Sequence, residues 1–302
     1  MPTVEFKPEL FNEDTVTTEK VAYELLKATP VPATNYFAAP WSALIRRREM
    51  DLPRRKLDRG FTICQHAWFD RIIPACLRLG LDTLFTPHVQ PGTAAGVPRW
   101  VSLGSRTAGI GRLLRPRVEA AAGFRILPFP HLAVNGVDPQ AKELWYSFIG
   151  FDTHPVRRAI FDLPRHANTI LMRRQHWHFD GTRDQRDREQ HEYRDTLARS
   201  RYSLCPRGYG PSTIRFWESL QAGAIPVLIS DTMMLPTGFE WARCVVRIAE
   251  AEVTNLEPIL ADISDSEEER LRENGLRAFQ CFSGANLVRC VRLTYSGNKQ
   301  AA

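Results

Sequence analysis

Short apolar runs alternate with amphipathic stretches along most of the chain after residue 60. The apolar runs predict buried strands at residues 61–65, 83–86, 125–128, 168–172, 202–205 and 225–229. Apolar residues at helical spacing predict a helix at residues 68–79. Further helices are predicted at residues 154–163, 189–200 and 212–222, of which 189–200 is polar and surface-exposed. A further apolar run covers residues 145–151. Strands that alternate with helices favour an α/β fold with largely parallel sheets.

Turn and cap residues mark several element ends. Gly80 is a C-cap signal for the helix 68–79, and Thr153 is a candidate N-cap for the helix that begins at His154. Ser264 and Glu267 form a capping box at the start of a charged helix that ends near Cys281. Residues 1–60 are predicted to be irregular because prolines interrupt them, and the Gly- and Pro-rich residues 87–112 to form a long loop.

The strand–helix alternation falls into two series. One lies before about residue 140 and the other after about residue 150. The sequence therefore predicts two Rossmann-like domains facing a cleft, comprising residues 1–145 and 146–302. In such sheets ligands bind at the carboxyl ends of the strands.

Composition is that of a globular protein. The 302 residues are 43% hydrophobic and 25% charged. No stretch reaches the roughly 18 apolar residues of a membrane span, and Met1 to Leu26 lack the apolar core of a signal peptide. The six cysteines form no CxxC pair, which favours free thiols in a reducing compartment. These features predict a cytoplasmic protein.

Positive charge is concentrated in two places. The net charge is +6. One cluster comprises Arg46, Arg47, Arg48, Arg54, Arg55, Lys56 and Arg59, and a second comprises Arg106, Arg112, Arg115 and Arg117. Either cluster is a solvated basic surface or a site for anionic partners, so peripheral association with the inner face of a membrane is one expectation. Aromatic residues do not interleave the first cluster, so nucleic-acid binding is not expected.

The segment from Arg201 to Asp231 carries the most chemistry. A predicted strand ends at Cys205, a tight loop of two glycines and Arg207 follows, and a helix begins near Ser212. Glycines let the backbone approach a ligand closely, and the N–H groups of a helix start suit a diphosphate. Arg207 can add a charge-assisted contact to such a group.

The helix after this loop has two different sides. Ile214, Phe216, Trp217 and Leu220 share an apolar arc, whereas Arg215, Glu218, Ser219 and Ala222 lie opposite. The second stripe could line a ligand cleft, with the Glu218 carboxylate accepting hydrogen bonds from a ribose diol. The alternative is a surface Arg215–Glu218 pair worth a few tenths of a kcal/mol.

The same residues resemble a known family. Tyr202-Ser-Leu-Cys-Pro-Arg-Gly-Tyr-Gly-Pro-Ser212 and Arg215-Phe-Trp-Glu-Ser-Leu-Gln-Ala-Gly-Ala-Ile-Pro-Val-Leu-Ile-Ser-Asp231 look like the exostosin-type glycosyltransferases. Weaker similarity includes Phe148-Ile-Gly-Phe151 with Pro155-Val-Arg157, and Ile126-Leu-Pro-Phe-Pro-His131. The resemblance covers about residues 60–250. No anchor segment like that of the animal members is recognised, which predicts a bacterial-type soluble or membrane-peripheral member.

The resemblance implies a GT-B fold and transfer of a sugar, with inversion, from a nucleotide sugar, expected to be a UDP-sugar. The acceptor would be a saccharide or lipid-linked saccharide in surface polysaccharide synthesis. Residues 1–145 would form the acceptor side and residues 146–302 the donor side. By position, Arg207 would face the diphosphate, Arg215 would lie near it and Glu218 would hold the ribose. The implied donor-binding set is Arg173, Arg207, Gly208, Tyr209, Gly210, Pro211, Ser212, Arg215 and Glu218.

Inverting transfer needs a general base for the acceptor hydroxyl. The candidates follow strands of the N-terminal half, and they are His66, Asp70, His88 and His131, with His66 and His131 leading because their strands are clearest. No Asp-x-Asp triplet is present, so no metal and no cofactor are expected. A metal site at His176, His178 and Asp180 is a weak alternative.

Two other functions are weighed against catalysis by a glycosyltransferase. A non-catalytic sugar-nucleotide-binding partner in a polysaccharide assembly complex would keep Arg207 and Glu218 and lack a working base. A dinucleotide-dependent oxidoreductase is not favoured, because no GxGxxG follows the early strands.

Overall fold

The fold was analysed in a computed structural model of the chain, which describes residues 3–12, 17–31, 34–49, 51–53, 56–91, 124–132, 136–175 and 182–297. The chain divides into two compact units. Unit 1 comprises residues 1–133, 232–237 and 282–302, and unit 2 comprises residues 134–231 and 238–281. Each contains one five-stranded parallel sheet, which confirms the predicted α/β class with two Rossmann-like domains.

The regular secondary structure of unit 1 begins earlier in the chain than the sequence predicts. Its elements are β1 (Thr3–Glu5), α1 (Thr18–Ala28), β2 (Tyr36–Ala38), α2 (Trp41–Arg47), β3 (Phe61–Ile63), α3 (Ile73–Leu79), β4 (Thr83–Thr86) and β5 (Arg125–Pro128). The prediction that residues 1–60 are irregular is therefore wrong. Pro30 and Pro53 lie between the elements rather than inside them, and Pro40 occupies the N-cap position of α2.

Unit 2 carries the second strand–helix series. It comprises β6 (Leu144–Gly150), α4 (Pro155–Phe161), β7 (Thr169–Arg173), α5 (Arg183–Arg199), β8 (Ser200–Pro206), α6 (Ile214–Gln221), β9 (Ile225–Ile229), β10 (Val246–Arg247), α7 (Leu256–Ala261) and α8 (Asp265–Cys281). The strands lie in the order β10-β9-β8-β6-β7. The chain therefore moves to one side of β6 and then to the other, which places a topological switch point between β6 and β8.

The last helix, α9 (Gly284–Gly297), belongs to unit 1. Successive strand residues point to opposite faces of a sheet. Phe37 and Leu84 accordingly join one apolar cluster with α2 and α3, whereas Tyr36 and Phe85 join a second cluster. Leu287, Val288, Val291 and Tyr295 of α9 complete this second cluster together with residues of α1.

The predicted domain limits of 1–145 and 146–302 therefore differ from the units. The first boundary lies at residue 133, because Val137 already packs with Leu197 and Ala224 in unit 2. The C-terminal residues return to unit 1 because the apolar side of α9 covers the sheet face there. The sequence pattern cannot reveal this return, since an amphipathic helix does not specify which sheet it covers.

Several predicted elements are confirmed within a residue or two, and two were misplaced. Gly80 caps α3 in the left-handed region with a φ of 79°. The N-cap of α4 is His154 rather than Thr153, since the His154 ring accepts the Val156 N–H. Helix α5 begins at Arg183 rather than Glu189, capped by Thr182. Of the helices in the described ranges, none is both long and apolar enough to cross a bilayer.

Some interpretations fall on residues that the structure does not describe. They are the second basic cluster, Arg54 and Arg55 of the first, most of the loop at 87–112, and the weak metal alternative at His176, His178 and Asp180. Cys64, Cys76, Cys205 and Cys244 are buried thiols, whereas Cys281 is exposed.

Candidate functional site

The carboxyl ends of the unit 2 strands gather the predicted donor residues. All strand pairs in this sheet are parallel, so the segments after β6, β7, β8, β9 and β10 leave the sheet at one edge. Arg207 follows β8, Arg173 ends β7, and Asp231 follows β9. The segment 151–154 follows β6, beside β8 at the topological switch point. This is the position where open α/β sheets bind ligands.

The glycine loop after β8 approaches the segment after β6 closely. A Cβ added at Gly208 would lie 3.1 Å from Nη2 of Arg157 and 3.3 Å from Oγ1 of Thr153. The Gly208 N–H donates to the Gly210 carbonyl, 3.1 Å away, and Ser230 donates its hydroxyl to the Pro211 carbonyl at 2.8 Å. The loop is thus a closed turn in which the absence of a side chain at Gly208 makes room for Arg157.

Arg157 is a residue that the sequence reasoning left out of the site. Its Nε donates to the Arg207 carbonyl at 2.7 Å, and its other nitrogens donate to the carbonyls of Phe151 and Pro206. Burial, followed by the charge of Arg215, lowers the pKa of Arg157 to about 10. The guanidinium therefore remains charged at neutral pH and ties the loops after β6 and β8 together.

Arg207 has an acidic neighbour. Its Nη1 lies 3.6 Å from Oε1 of Glu250, and its buried Nε has no hydrogen-bond partner among the described residues. The Asp231 N–H donates to the same Glu250 oxygen, and the Glu250 N–H donates back to Asp231. His154 lies 3.9 Å from the other Glu250 oxygen. Glu250 thus links the segments after β6, β8, β9 and β10.

Two further hydroxyl groups near the loop lack partners. Oγ1 of Thr153 and Oγ of Ser212 are buried and make no hydrogen bond within the described part of the chain. Ser212 lies just before α6, whose N-cap residue Thr213 makes no side-chain capping bond. Unpaired buried donors cost about 1–3 kcal/mol each, so their presence near a helix start indicates a ligand with acceptor oxygens.

The remaining predicted donor residues have different surroundings. Arg173 is half-exposed, lies 3.5 Å from Asp152 and stacks on the Phe161 ring. Tyr209 is 73% exposed. Arg215 donates to the Ile149 carbonyl, and its guanidinium lies 4.5 Å from the Phe148 ring centre.

Glu218 is buried rather than on an open stripe. It is 4% exposed, and the Tyr193 hydroxyl donates to its Oε2 at 2.5 Å. The alternative of a surface Arg215–Glu218 pair is therefore wrong. Burial, and then the Glu218 charge, raises the pKa of Tyr193, so the phenol keeps its proton. Ser219 and Ala222 are also fully buried, so α6 is covered on both sides.

The four candidate bases all follow strands of the unit 1 sheet. His66 and Asp70 follow β3, His88 follows β4, and His131 follows β5. The structure brings His88 and His131 together, with ring centres 5.6 Å apart. His88 is 8% exposed and His131 5% exposed. Burial lowers the pKa of His88 to about 4 and that of His131 well below its usual value.

His66 has a geometry that does not suit a base. Its Nδ1 accepts the Trp68 N–H at 3.1 Å. The lone pair is thereby occupied, so the neutral ring carries its proton on Nε2 and offers a donor there. Burial, and then the charges of Arg46 and Arg71, lowers its pKa to about 4.

Sequence reasoning missed four residues of the unit 2 edge, and a signal existed for three of them. Thr153, His154 and Arg157 follow the apolar run at 145–151, so the rule that ligands bind at strand ends points to them. Glu250 follows β10, a strand of two residues, which leaves no hydrophobic pattern to recognise.

Comparisons with known proteins match the part of the chain that carries this edge. Residues 128–263 match the Exostosin GT47 domain. The chain is 30% identical over 109 residues to the exostosin-1 homolog of Caenorhabditis elegans, which is 34% of this chain and 28% of that protein. It is 40% identical over 70 residues to a probable glucuronosyltransferase of Oryza sativa subsp. japonica, or 22% of this chain and 16% of the relative. These matches thus span less than a third of the relatives' length.

Among solved structures, the chain is similar to sucrose-phosphate synthase from Thermosynechococcus elongatus, with 12% identity and a TM-score of 0.45 over 93% of this chain and 77% of that one. It is also similar to Anabaena HepE in complex with UDP, with 11% identity and a TM-score of 0.42 over the whole of both chains. The sequence match places the site-bearing edge of unit 2 inside the matched domain, since residues 128–263 include Thr153, Arg157, Arg207 and Glu250. Residues 128–263 of the chain are therefore similar to the exostosin-type glycosyltransferases.

Proposed function

We propose that the chain is an inverting glycosyltransferase that transfers a sugar from a nucleotide sugar, a UDP-sugar, to a saccharide or glycolipid acceptor. The observation that carries the donor site is the group of unpartnered buried donors around Gly208. Nε of Arg207, Oγ1 of Thr153 and Oγ of Ser212 have no hydrogen-bond partner among the described residues. They lie at the topological switch point of unit 2, next to the start of α6.

The chemistry of these groups favours a diphosphate. Phosphate oxygens are acceptors only, so they complement hydroxyl and guanidinium donors. Arg157 adds a partly buried positive charge against the loop, and Arg173 adds a half-exposed one at the end of β7. Ion pairs orient two arginines before a ligand binds: Arg207 pairs with Glu250, and Arg173 pairs with Asp152. The arginines would then stabilise the diphosphate that leaves during transfer.

The ribose contact of Glu218 rests on the family resemblance. In addition, Glu218 accepts a hydrogen bond from buried Tyr193, so this carboxylate also supports the packing between α5 and α6. Arg215 supports the end of β6 through the Ile149 carbonyl and is proposed to act near the phosphates from there.

The acceptor would be activated by a base from unit 1, chosen from Asp70, His88 and His131. His66 is proposed to donate a hydrogen bond instead, because Trp68 occupies its lone pair. The reaction is proposed to need no metal and no cofactor. The basic residues Arg46, Arg47 and Arg48, which are exposed, support peripheral association with an anionic membrane surface.

Ligand-induced stabilisation of the full chain tests the donor site. A ligand that binds only the folded state raises its melting temperature with concentration. We expect UDP to raise it more than GDP, CMP or inorganic phosphate, and the Arg207→Ala variant to lose this effect. Equal responses to all four compounds would contradict a uridine diphosphate site.

Turnover separates catalysis from the non-catalytic alternative. Because several relatives are named glucuronosyltransferases, UDP-glucuronic acid is the first donor to assay. Release of UDP that depends on an added saccharide would support transfer. Tight binding of UDP without release in any saccharide mixture would instead favour a sugar-nucleotide-binding partner.

A further inference from the structure

A group of buried polar side chains lies at the carboxyl edge of the unit 1 sheet. We name it the glutamate–histidine cluster, and its members are Glu19, Gln65, His88 and His131. Glu19 lies in the first turn of α1, and the other three follow β3, β4 and β5. Neither the sequence pattern nor the donor site accounts for Glu19, which lies in a region predicted to be irregular.

Hydrogen bonds join Glu19 to Gln65, and the His88 and His131 rings lie against each other with centres 5.6 Å apart. Oε1 of Glu19 accepts the Gln65 N–H at 3.1 Å and the Ser42 hydroxyl at 2.6 Å. The Thr18 N–H donates to the Gln65 side chain at 2.6 Å, and the Thr18 hydroxyl accepts the Leu132 N–H at 3.1 Å. The start of α1 is thereby fixed against the ends of β3 and β5.

Four atoms of the glutamate–histidine cluster lack hydrogen-bond partners within the described ranges. They are Oε2 of Glu19, Nδ1 of His88 and both ring nitrogens of His131. Glu19 is 1% exposed, His131 5% and His88 8%. Buried polar side chains are nearly always hydrogen-bonded, and each exception calls for an explanation. Three of these atoms belong to the adjacent rings of His88 and His131, which indicates that the cluster binds something other than protein.

The donor and acceptor pattern defines the class of ligand. A neutral imidazole offers one donor and one acceptor, and a carboxyl group offers an acceptor or a donor at its free oxygen. Burial keeps both histidines neutral at pH 7. A phosphate would meet no cation here and would lie beside Glu19. Hydroxyl groups, which both donate and accept, match these atoms.

An exposed aromatic ring lies on the loop that leaves the same strand. Trp68 is 54% exposed, three residues after Gln65. Two contacts hold Trp68 in place. The Arg71 guanidinium lies 4.2 Å from the centre of the Trp68 ring, and the backbone N–H of Trp68 donates to the His66 ring. An ordered indole near hydroxyl-binding groups suits the C–H face of a sugar ring, since apolar area and a few convergent polar groups form a typical ligand site.

We propose that the glutamate–histidine cluster binds hydroxyl groups of a saccharide, with Glu19 and His131 contacting the hydroxyls and Trp68 packing against the sugar ring. The proposal deepens the proposed function, since it names the residues and the chemical class through which unit 1 would bind the acceptor. It does not depend on the donor residues of unit 2.

The test is binding of the full chain to an array of immobilised neutral and uronate-containing oligosaccharides. The key variant is His131→Leu, which removes two unpartnered polar atoms and keeps a similar apolar volume. Such a replacement is neutral or stabilising when the polar group has no protein partner. We expect binding to fall at least 10-fold, whereas the melting temperature stays the same or rises. Trp68→Ala should weaken binding with no change in melting temperature.

His191→Leu is the matched control. His191 is exposed on α5, so its replacement makes the same chemical change outside the cluster. The stabilisation by UDP should be equal in all of these chains. The proposal would be overturned if the wild-type chain bound no saccharide. It would also be overturned if His131→Leu bound saccharide as well as the wild type does, which would mean that only buried water occupies the cluster. Saccharide binding without any response to UDP would contradict the donor site and support this one.

Discussion

Arg207 and Glu250 form an ion pair across the carboxyl edge of the unit 2 sheet, with 3.6 Å between Nη1 and Oε1. The two residues follow β8 and β10, so the pair joins strands that are not neighbours. Glu250 is held in turn by Asp231, since the backbone N–H of each residue donates to the side-chain carboxylate of the other. Arg207 is therefore oriented before a ligand binds, which reduces the entropy cost of binding.

This orientation leads to a prediction for Arg207. Arg207→Ala should weaken UDP binding by about 10- to 100-fold, the range expected for loss of hydrogen bonds to a charged group. Titration calorimetry with UDP measures the change. Arg183→Ala is the control, since Arg183 is exposed at the start of α5. Affinity within twofold of wild type in Arg207→Ala would remove Arg207 from the site.

Gly208→Ala should disturb the donor loop. The added methyl group would lie 3.1 Å from Nη2 of Arg157 and 3.3 Å from Oγ1 of Thr153, and either the loop or Arg157 must shift. We expect weaker UDP binding with a modest loss of stability. Gly136→Ala serves as the control, because nothing lies within 4 Å of the position of its Cβ. The same UDP affinity in both variants would contradict the close approach.

Glu218 should affect both stability and donor binding. Glu218→Ala leaves the buried Tyr193 hydroxyl without this acceptor, so unfolding free energy should fall by about 1–3 kcal/mol. Tyr193→Phe removes the same hydrogen bond and keeps the carboxylate. If Glu218 holds the ribose, only the Glu218 variant should weaken UDP binding; equal losses in both variants would indicate a structural role alone.

Sugar transfer should continue in EDTA. Arginines and the start of α6 would stabilise the leaving diphosphate without a divalent cation. Among the residues that the structure describes, no group of three His, Cys, Asp or Glu side chains is arranged to hold a metal. The measurement is UDP release with EDTA and with added Mg²⁺ or Mn²⁺. Loss of activity in EDTA with rescue by either ion would contradict the metal-free mechanism.

Acid should destabilise unit 1 through its buried histidines. Burial holds the pKa of His131 well below 6.5, so between pH 6.5 and that lower value the unfolded chain binds a proton that the folded chain does not. Stability therefore falls as pH falls through this range. His88 acts in the same direction, whereas the raised pKa of buried Glu19 acts in the opposite one.

The comparison of wild type with His131→Leu isolates the contribution of His131. Denaturant unfolding at pH 7 and pH 5 should show a smaller loss of stability in the variant. A loss of the same size in both chains would mean that His131 is protonated in the folded state or solvated there.

The sequence by itself determined the α/β class, most strands after residue 60, and the loop and helix that carry Arg207 and Glu218. These features are encoded locally, by apolar runs, turn glycines and a long ordered motif. The sequence also indicated the strand ends at which His66, His88 and His131 lie. It did not indicate the elements of residues 1–60, because their short strands give little periodic signal.

Only the tertiary structure decided which of these groups meet. Glu19 reaches Gln65 across 46 positions of the chain, and Arg157 reaches the Arg207 carbonyl across 50. Strand order and register determine which of these distant residues come into contact. The return of α9 to unit 1, after the second sheet is complete, is likewise a feature of the tertiary structure. Hydrophobic pattern encodes which face of an element is buried but not which partner buries it. The packing of neighbouring elements therefore decides that Glu218 is buried and that the ring nitrogens of His131 have no hydrogen bond among the described residues.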